Sequence, residues 1–91
     1  HIMKLFLCTN CSDVLKMTKV DWRFCQCRES SARYLEDGDF AEISGKAIPI
    51  GIINESIVKA VAYRNVGYSD LTALNLQAFV FSPCYYKIKK V

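Results

Sequence analysis

Four cysteines within one short stretch, Cys8, Cys11, Cys25 and Cys27, constrain this chain more than any other feature of it. They form a C-T-N-C pair and a C-Q-C pair, with thirteen residues between Cys11 and Cys25. A structural zinc ion takes four thiolate or imidazole ligands at about 2.0–2.3 Å, and such sites commonly draw two ligands from each of two turns. The spacing therefore predicts a structural Zn2+ held by Cys8, Cys11, Cys25 and Cys27, with the intervening chain leaving one knuckle and returning at the other. Two alternatives stay open: thiols that bind no metal and pack as small hydrophobes, and iron–sulfur or redox use. The fifth cysteine, Cys84, reads as a strand or core residue, and it can replace Cys25 or Cys27 as a ligand. Zinc fixed by four protein ligands has no open position, so metal catalysis is not expected.

The surroundings of Cys8 set the expected compartment. Lys4–Cys8 superficially looks like a lipoprotein signal, but its apolar part is about four residues where about 7–15 are needed. With no secretory signal and an odd cysteine count, the thiols are expected to stay reduced in a cytoplasm, which favours metal over disulfides. No apolar run approaches the ~18 residues of a membrane span. The longest, Ala47–Ile53, is interrupted by Pro49 and Gly51. His1 and Ile2 read as a vector-derived remnant before Met3.

At 91 residues the chain is expected to be one domain with a modest core, the size at which a metal or a partner contributes most to stability. We expect a metal-binding head over residues 3–28 and an α+β body over residues 29–91. A hydrophobic content of 52% against 23% charged residues excludes a disordered chain. The net charge of +3 permits an anionic partner without requiring one.

In chain order, Lys4–Leu7 reads as a short strand and Thr9–Asp13 as a turn. Val14–Thr18 and Trp22–Cys27 read as a hairpin that carries the second cysteine pair back to the first. Asp37-Gly38 is a hairpin signal joining strands at Ala32–Leu35 and Phe40–Ile43. Pro49 marks Ala47–Ile53 as an edge strand or an irregular apolar segment. Asn54 reads as the N-cap of a helix over Glu55–Arg64, with an apolar stripe at Ile57, Val58, Val61 and Ala62, a Glu55–Lys59 pair and Gly67 as its stop. Residues 70–81 fit a helix or a strand, and the alternation from Leu74 to Phe81 favours the strand. Cys84–Ile88 is expected to be the last strand. Trp22 is expected to pack beside the second knuckle.

Enzyme chemistry finds little support. Beyond His1 there is no histidine, which removes His-dependent triads and most acid–base schemes. The carboxylates Glu36, Asp37, Asp39 and Glu42 read as a solvated hairpin tip. We therefore expect a noncatalytic binding module. Its partner is expected to be a protein, or a second copy of the chain through an exposed edge strand or the Ala47–Ile53 face. The alternative is nucleic-acid or nucleotide binding through Arg33, Lys46, Arg64, Lys87 and Lys89, with Tyr85-Tyr86 as a stacking surface.

From Cys8 to Ile53, the runs W-x-x-C-x-C, S-S-A-R-Y-L-E-D-G and A-E-I-S-G-K-A-I-P-I-G together resemble small uncharacterised bacterial and phage proteins with a zinc-ribbon-like head. The resemblance covers about the first half of the chain. It implies a metal-bearing head and a phage or prophage origin, with the host cytoplasm as its setting, and attaches no activity. The glycine that often follows a knuckle is missing after Cys27, where Arg28 stands instead. The fold expected is thus α+β: a cysteine-held, zinc-ribbon-like β-hairpin head, a small antiparallel sheet and one helix.

Overall fold

A period-two alternation begins at the first strand, β1 (Ile2–Cys8), which turns Lys4, Phe6 and Cys8 into the interior. The computed structural model describes residues 1–69 and 74–91. After β1 come β2 (Val14–Lys16), β3 (Thr18–Lys19), β4 (Arg23–Phe24), β5 (Ser30–Tyr34), β6 (Ala41–Gly45) and β7 (Ala47–Ile53). The helix α1 (Asn54–Asn65), β8 (Ala78–Val80) and β9 (Ile88–Lys90) complete the α+β fold.

The strands form two sheets. One has the order β2-β1-β7-β8, all antiparallel. The other has the order β3-β5-β6-β9, with β4 also pairing with β5. Its antiparallel ladders, β4–β5 and β5–β6, are flanked by two short parallel ones, β3–β5 and β6–β9. The chain passes from the first sheet to the second at Met17, which is buried and still donates its N–H to the Lys4 carbonyl at 3.2 Å. One core joins both sheets: Phe6, Cys8 and Ala47 from the first, Ala32, Ala41 and Ile43 from the second, with Met17 and Cys25.

The Asp37-Gly38 turn forms where the sequence places it. Gly38 has a φ of 72°, and Asp37 Oδ1 accepts the N–H of both Asp39 and Phe40 at 3.0 Å. The helix also forms, and Gly67, at φ 96°, ends it as Tyr68 N–H reaches back to the Tyr63 carbonyl.

Five local expectations are corrected. Val14–Thr18 and Trp22–Cys27 do not pair with each other: β2 folds back on β1 and β4 folds onto β5, so each cysteine pair sits in a hairpin of its own. Ala47–Ile53 is an inner strand, between β1 and β8. Pro49 fits there because Phe6 faces it at a position without ladder hydrogen bonds, while its carbonyl accepts Phe81 N–H at 3.0 Å, just past the end of β8. Asn54 makes no cap; the N-cap residue is Ile53, and Ser56 Oγ donates to the Ile53 carbonyl at 2.6 Å. The apolar stripe of the helix faces outward, with Val58 69% and Val61 46% exposed, because Ala60 is the residue set against β7. Cys84–Lys87 turns rather than extends, and the last strand begins only at Ile88.

The expected Glu55–Lys59 pair gives way to other contacts: Glu55 binds the His1 ammonium at 2.7 Å, and Lys59 Nζ lies over the Tyr63 ring. His1 and Ile2 continue the β1–β7 ladder, Ile2 opposite Ile53 and the His1 carbonyl accepting Asn54 N–H. In the ambiguous stretch, Ala78–Val80 is a strand, while residues 70–73, where a capped helix was the other option, lie outside the described residues.

Candidate metal centre

The first knuckle is built by the turn that leaves β1. Cys8 N–H donates to the Asp13 carbonyl at 2.9 Å and Ser12 N–H to the Cys8 carbonyl at 2.8 Å, which folds Cys11 back over Cys8. Ser12 takes the left-handed conformation, φ 62°. The second knuckle is the turn between β4 and β5, closed by Cys25 N–H on the Ser30 carbonyl and Arg28 N–H on the Cys25 carbonyl. Arg28 occupies the left-handed position there, φ 65°. This is the place at which the sequence lacks a glycine, and arginine takes up the strained conformation in its stead.

The two turns bring the sulfurs of Cys8, Cys11, Cys25 and Cys27 within 4.8 Å of one another. Cys27 Sγ lies 3.6 Å from Cys8 Sγ and 3.5 Å from Cys25 Sγ. Four sulfurs at about 2.3 Å from a tetrahedral ion stand about 3.8 Å apart, so thiols within 4.8 Å of one another are close enough to hold one metal ion together. Cys8 and Cys25 are buried, whereas Cys27 reaches the surface. Cys84 is exposed in the Pro83-Cys84 turn and is not part of the cluster.

Electrostatics favour the ligand form of Cys8. Burial pushes its thiol up, but the Ser30 hydroxyl, the N–H groups of Cys11 and Asn10 and the Cys25 thiol together outweigh that and bring it down to about 6. A thiol in that range is largely thiolate at neutral pH, which is the form that binds a metal. Ser30 itself is buried, and its hydroxyl makes no hydrogen bond of regular geometry.

Sequence reasoning missed the residues that tie the knuckles to each other. Asn10 N–H points at Cys8 Sγ at 3.4 Å and its Nδ2 donates to Cys27 Sγ at 3.3 Å. Asp13 Oδ2 accepts Gln26 N–H at 3.1 Å. Both residues read as turn formers only, since Asn and Asp in a turn give no hint of which distant group they reach. Trp22 carries the Arg33 guanidinium over its ring at 4.7 Å, and it is Phe24, under Arg28 at 4.4 Å, that flanks the second knuckle in sequence.

The basic residues singled out in the sequence are spread over separate elements. Arg33, in β5, binds Glu42 Oε1 through Nε and Nη2 and the Val20 carbonyl through Nη1. Lys89 stands opposite Glu42 in the β6–β9 ladder. Lys46 is exposed between β6 and β7, and Arg64 is exposed in the last turn of α1. Lys87 binds Asp39 Oδ2 at 2.6 Å.

Among the described residues no helix is long and apolar enough to cross a membrane. No family model, no curated protein and no solved structure matches the chain.

Proposed function

We propose that this protein is a noncatalytic binding module held at one end by a tetrathiolate zinc ion, and that its outer surface engages a protein partner. The observation that carries this reading is the convergence of four thiols from two separate hairpins within 4.8 Å. Tetrahedral all-sulfur donors select zinc or an iron–sulfur centre. Zinc is the ion for a site whose only evident task is to join two turns, and a site closed by four protein ligands is structural. The partner reading is supported by the outward face of α1, where Val58 and Val61, one turn apart, are exposed, because neighbouring surface hydrophobes mark interaction sites. A phage-encoded inhibitor of a host system is the finer form of this reading; the resemblance of the first half of the chain to small uncharacterised bacterial and phage proteins bears on origin alone and attaches no activity.

Elemental analysis with native mass spectrometry tests the centre. About one zinc per chain is expected, lost in a Cys25→Ser, Cys27→Ser variant together with cooperative unfolding. A metal-free protein of equal stability overturns it. The partner is tested by crosslinking in a bacterial lysate with native protein and a Val58→Asp, Val61→Asp variant. A discrete crosslinked product seen only with the native protein supports this surface, and identical products from both overturn it.

A further inference from the structure

The inward row of β1 carries Cys8 at one end and Lys4 at the other, about 13 Å apart along the strand. Lys4 is only 5% exposed. Its ammonium bears three donors, yet the carboxylate oxygen it faces, Asp39 Oδ1, is 3.6 Å away, beyond hydrogen-bond reach. Tyr34 offers only the face of its ring, 5.5 Å from Nζ to the centroid, because its hydroxyl already accepts the Lys4 backbone N–H at 2.7 Å. Among the described residues Lys4 Nζ makes no hydrogen bond. The stem is buried but the ammonium reaches the cavity, where its donors are open to a ligand's acceptors.

The group lines a cavity of about 530 Å³ together with His1, Ile2, Gly38, Asp39, Tyr85 and Lys87. Asp39 is shared by two ammoniums, with Oδ2 held by Lys87 at 2.6 Å and Oδ1 left for Lys4. Two positive charges against one negative leave the cavity net positive. Its volume falls in the range of small-molecule sites, about 300–1,000 Å³, and exceeds what a bare oxyanion fills. Beside it Lys87 Nζ stands over two further rings, Phe40 at 5.9 Å and Tyr86 at 5.8 Å. Tyr86 is 74% exposed and meets Phe40 edge to face. An exposed ring beside a positive pocket roomier than a phosphate is an arrangement that can take a nucleobase and its phosphate together.

We propose that this cavity binds a nucleoside monophosphate, its phosphate bridging the Lys4 and Lys87 ammoniums and its base stacking on Tyr86. The site uses no cysteine. Lysine serves here as a point charge for phosphate, and the partly buried setting strengthens each contact relative to open water.

The test is a calorimetric titration of the native, metal-replete protein at low salt. The probes are adenosine monophosphate, uridine monophosphate, adenosine and inorganic phosphate. Monophosphates are expected to bind at least about tenfold more tightly than adenosine. Lys4→Met is expected to lower that affinity at least about tenfold while leaving thermal stability intact, since an apolar chain of similar length suits a buried site. Lys87→Gln, on the cavity rim, is expected to lower it as well, with a lower melting temperature from loss of the Asp39 pair but a folded protein at the titration temperature. Tyr86→Ala is expected to weaken the monophosphates and leave inorganic phosphate unchanged. Absence of monophosphate binding, equal binding of adenosine, or affinity untouched by Lys87→Gln overturns the proposal. Phosphate binding as tightly as the monophosphates, with no effect of Tyr86→Ala, overturns the nucleotide and assigns the cavity to the free anion.

Discussion

Replacing Gly45 with alanine tests how tightly the corner between β6 and β7 is locked to the metal centre. Gly45 has a φ of 70°, and a Cβ built there lies 2.0 Å from the Glu29 carbonyl oxygen and 3.0 Å from its carbon. Both atoms are backbone, so no side-chain rotation relieves the clash, and the two segments must separate by at least about 1 Å. That opening strains the hydrogen bond that Lys46 N–H makes to the same Glu29 oxygen at 3.1 Å. The left-handed conformation alone costs a residue with a Cβ about 1–2 kcal/mol, and the hydrogen bond adds about 1 kcal/mol. With the displacement the expected loss is about 3–5 kcal/mol, a large share of the roughly 5–15 kcal/mol that holds a small domain. Because Ser30, the next residue, closes the second knuckle on Cys25, metal affinity is expected to fall as well. The assay is urea unfolding of the zinc-loaded protein beside a Gly67→Ala control. Gly67 has a φ of 96° but no heavy atom within 4 Å of its built Cβ, so about 1 kcal/mol is expected there. A Gly45→Ala loss no larger than that of Gly67→Ala would refute the reasoning.

Arg28→Gly is expected to stabilise the zinc-loaded protein by up to about 1 kcal/mol in the same assay, since glycine relieves the left-handed strain at φ 65° while adding freedom to the unfolded chain. Asn10→Ala removes the Nδ2 donor to Cys27 Sγ, and competition with a chromophoric chelator is expected to show metal affinity about tenfold weaker. Cys84→Ser is expected to leave metal content unchanged, because Cys84 stands outside the cluster; elemental analysis showing metal loss would give it a ligand's role. Asp39 raises the Lys87 ammonium above its ordinary 10.5, chiefly through their hydrogen bond. A raised folded value means the pair stabilises the protein fully at neutral pH and loses that effect as pH climbs through it. The melting temperature gap between native protein and Lys87→Met is therefore expected to hold up to about pH 10 and to close above it.

The metal centre was the most legible part of the chain, and the fold around it was less so. Cysteine spacing names the four thiols that converge because a knuckle is a local object, set by a turn of a few residues. Which strand closes each knuckle is not local. Val14–Lys16 and Arg23–Phe24 carry no mark of whether they pair with each other or with β1 and β5, and their burial is too slight to fix a register. Pro49 misled for a related reason. Its missing donor forbids one hydrogen bond, and a strand whose neighbour ends at that point can keep the proline inside a sheet. The helix was legible by its apolar spacing and glycine stop, while its buried face was not. Ala60 is what lies inside, and the larger Val58 and Val61 look outward. An apolar stripe at helical spacing identifies a face to be covered, and this sheet covers a different one.

The composition of the core explains why a metal belongs at this end. Of its eight residues, three are alanines and two are the ligands Cys8 and Cys25, which leaves Phe6, Met17 and Ile43 as the bulky members. Burial of large side chains at about 25 cal/mol per Å² is the usual source of cohesion, and here little of it is on hand. The two cysteine pairs come from different sheets, Cys8 and Cys11 from the β1–β2 hairpin and Cys25 and Cys27 from the β4–β5 hairpin. An ion bound by all four would join the two sheets at one edge of this small core. Its binding energy is then folding energy, because the unfolded chain holds no such site. Near that end the Gly45–Ala47 corner ties them covalently, whereas the Met17 crossing lies at the other end of the inward row, beside Lys4. Removing the ion is therefore expected to loosen the two hairpins from each other before it unravels either one, and hydrogen exchange on the metal-free protein should show the knuckle amides of Cys8 and Cys25 losing protection ahead of the β1–β7 ladder.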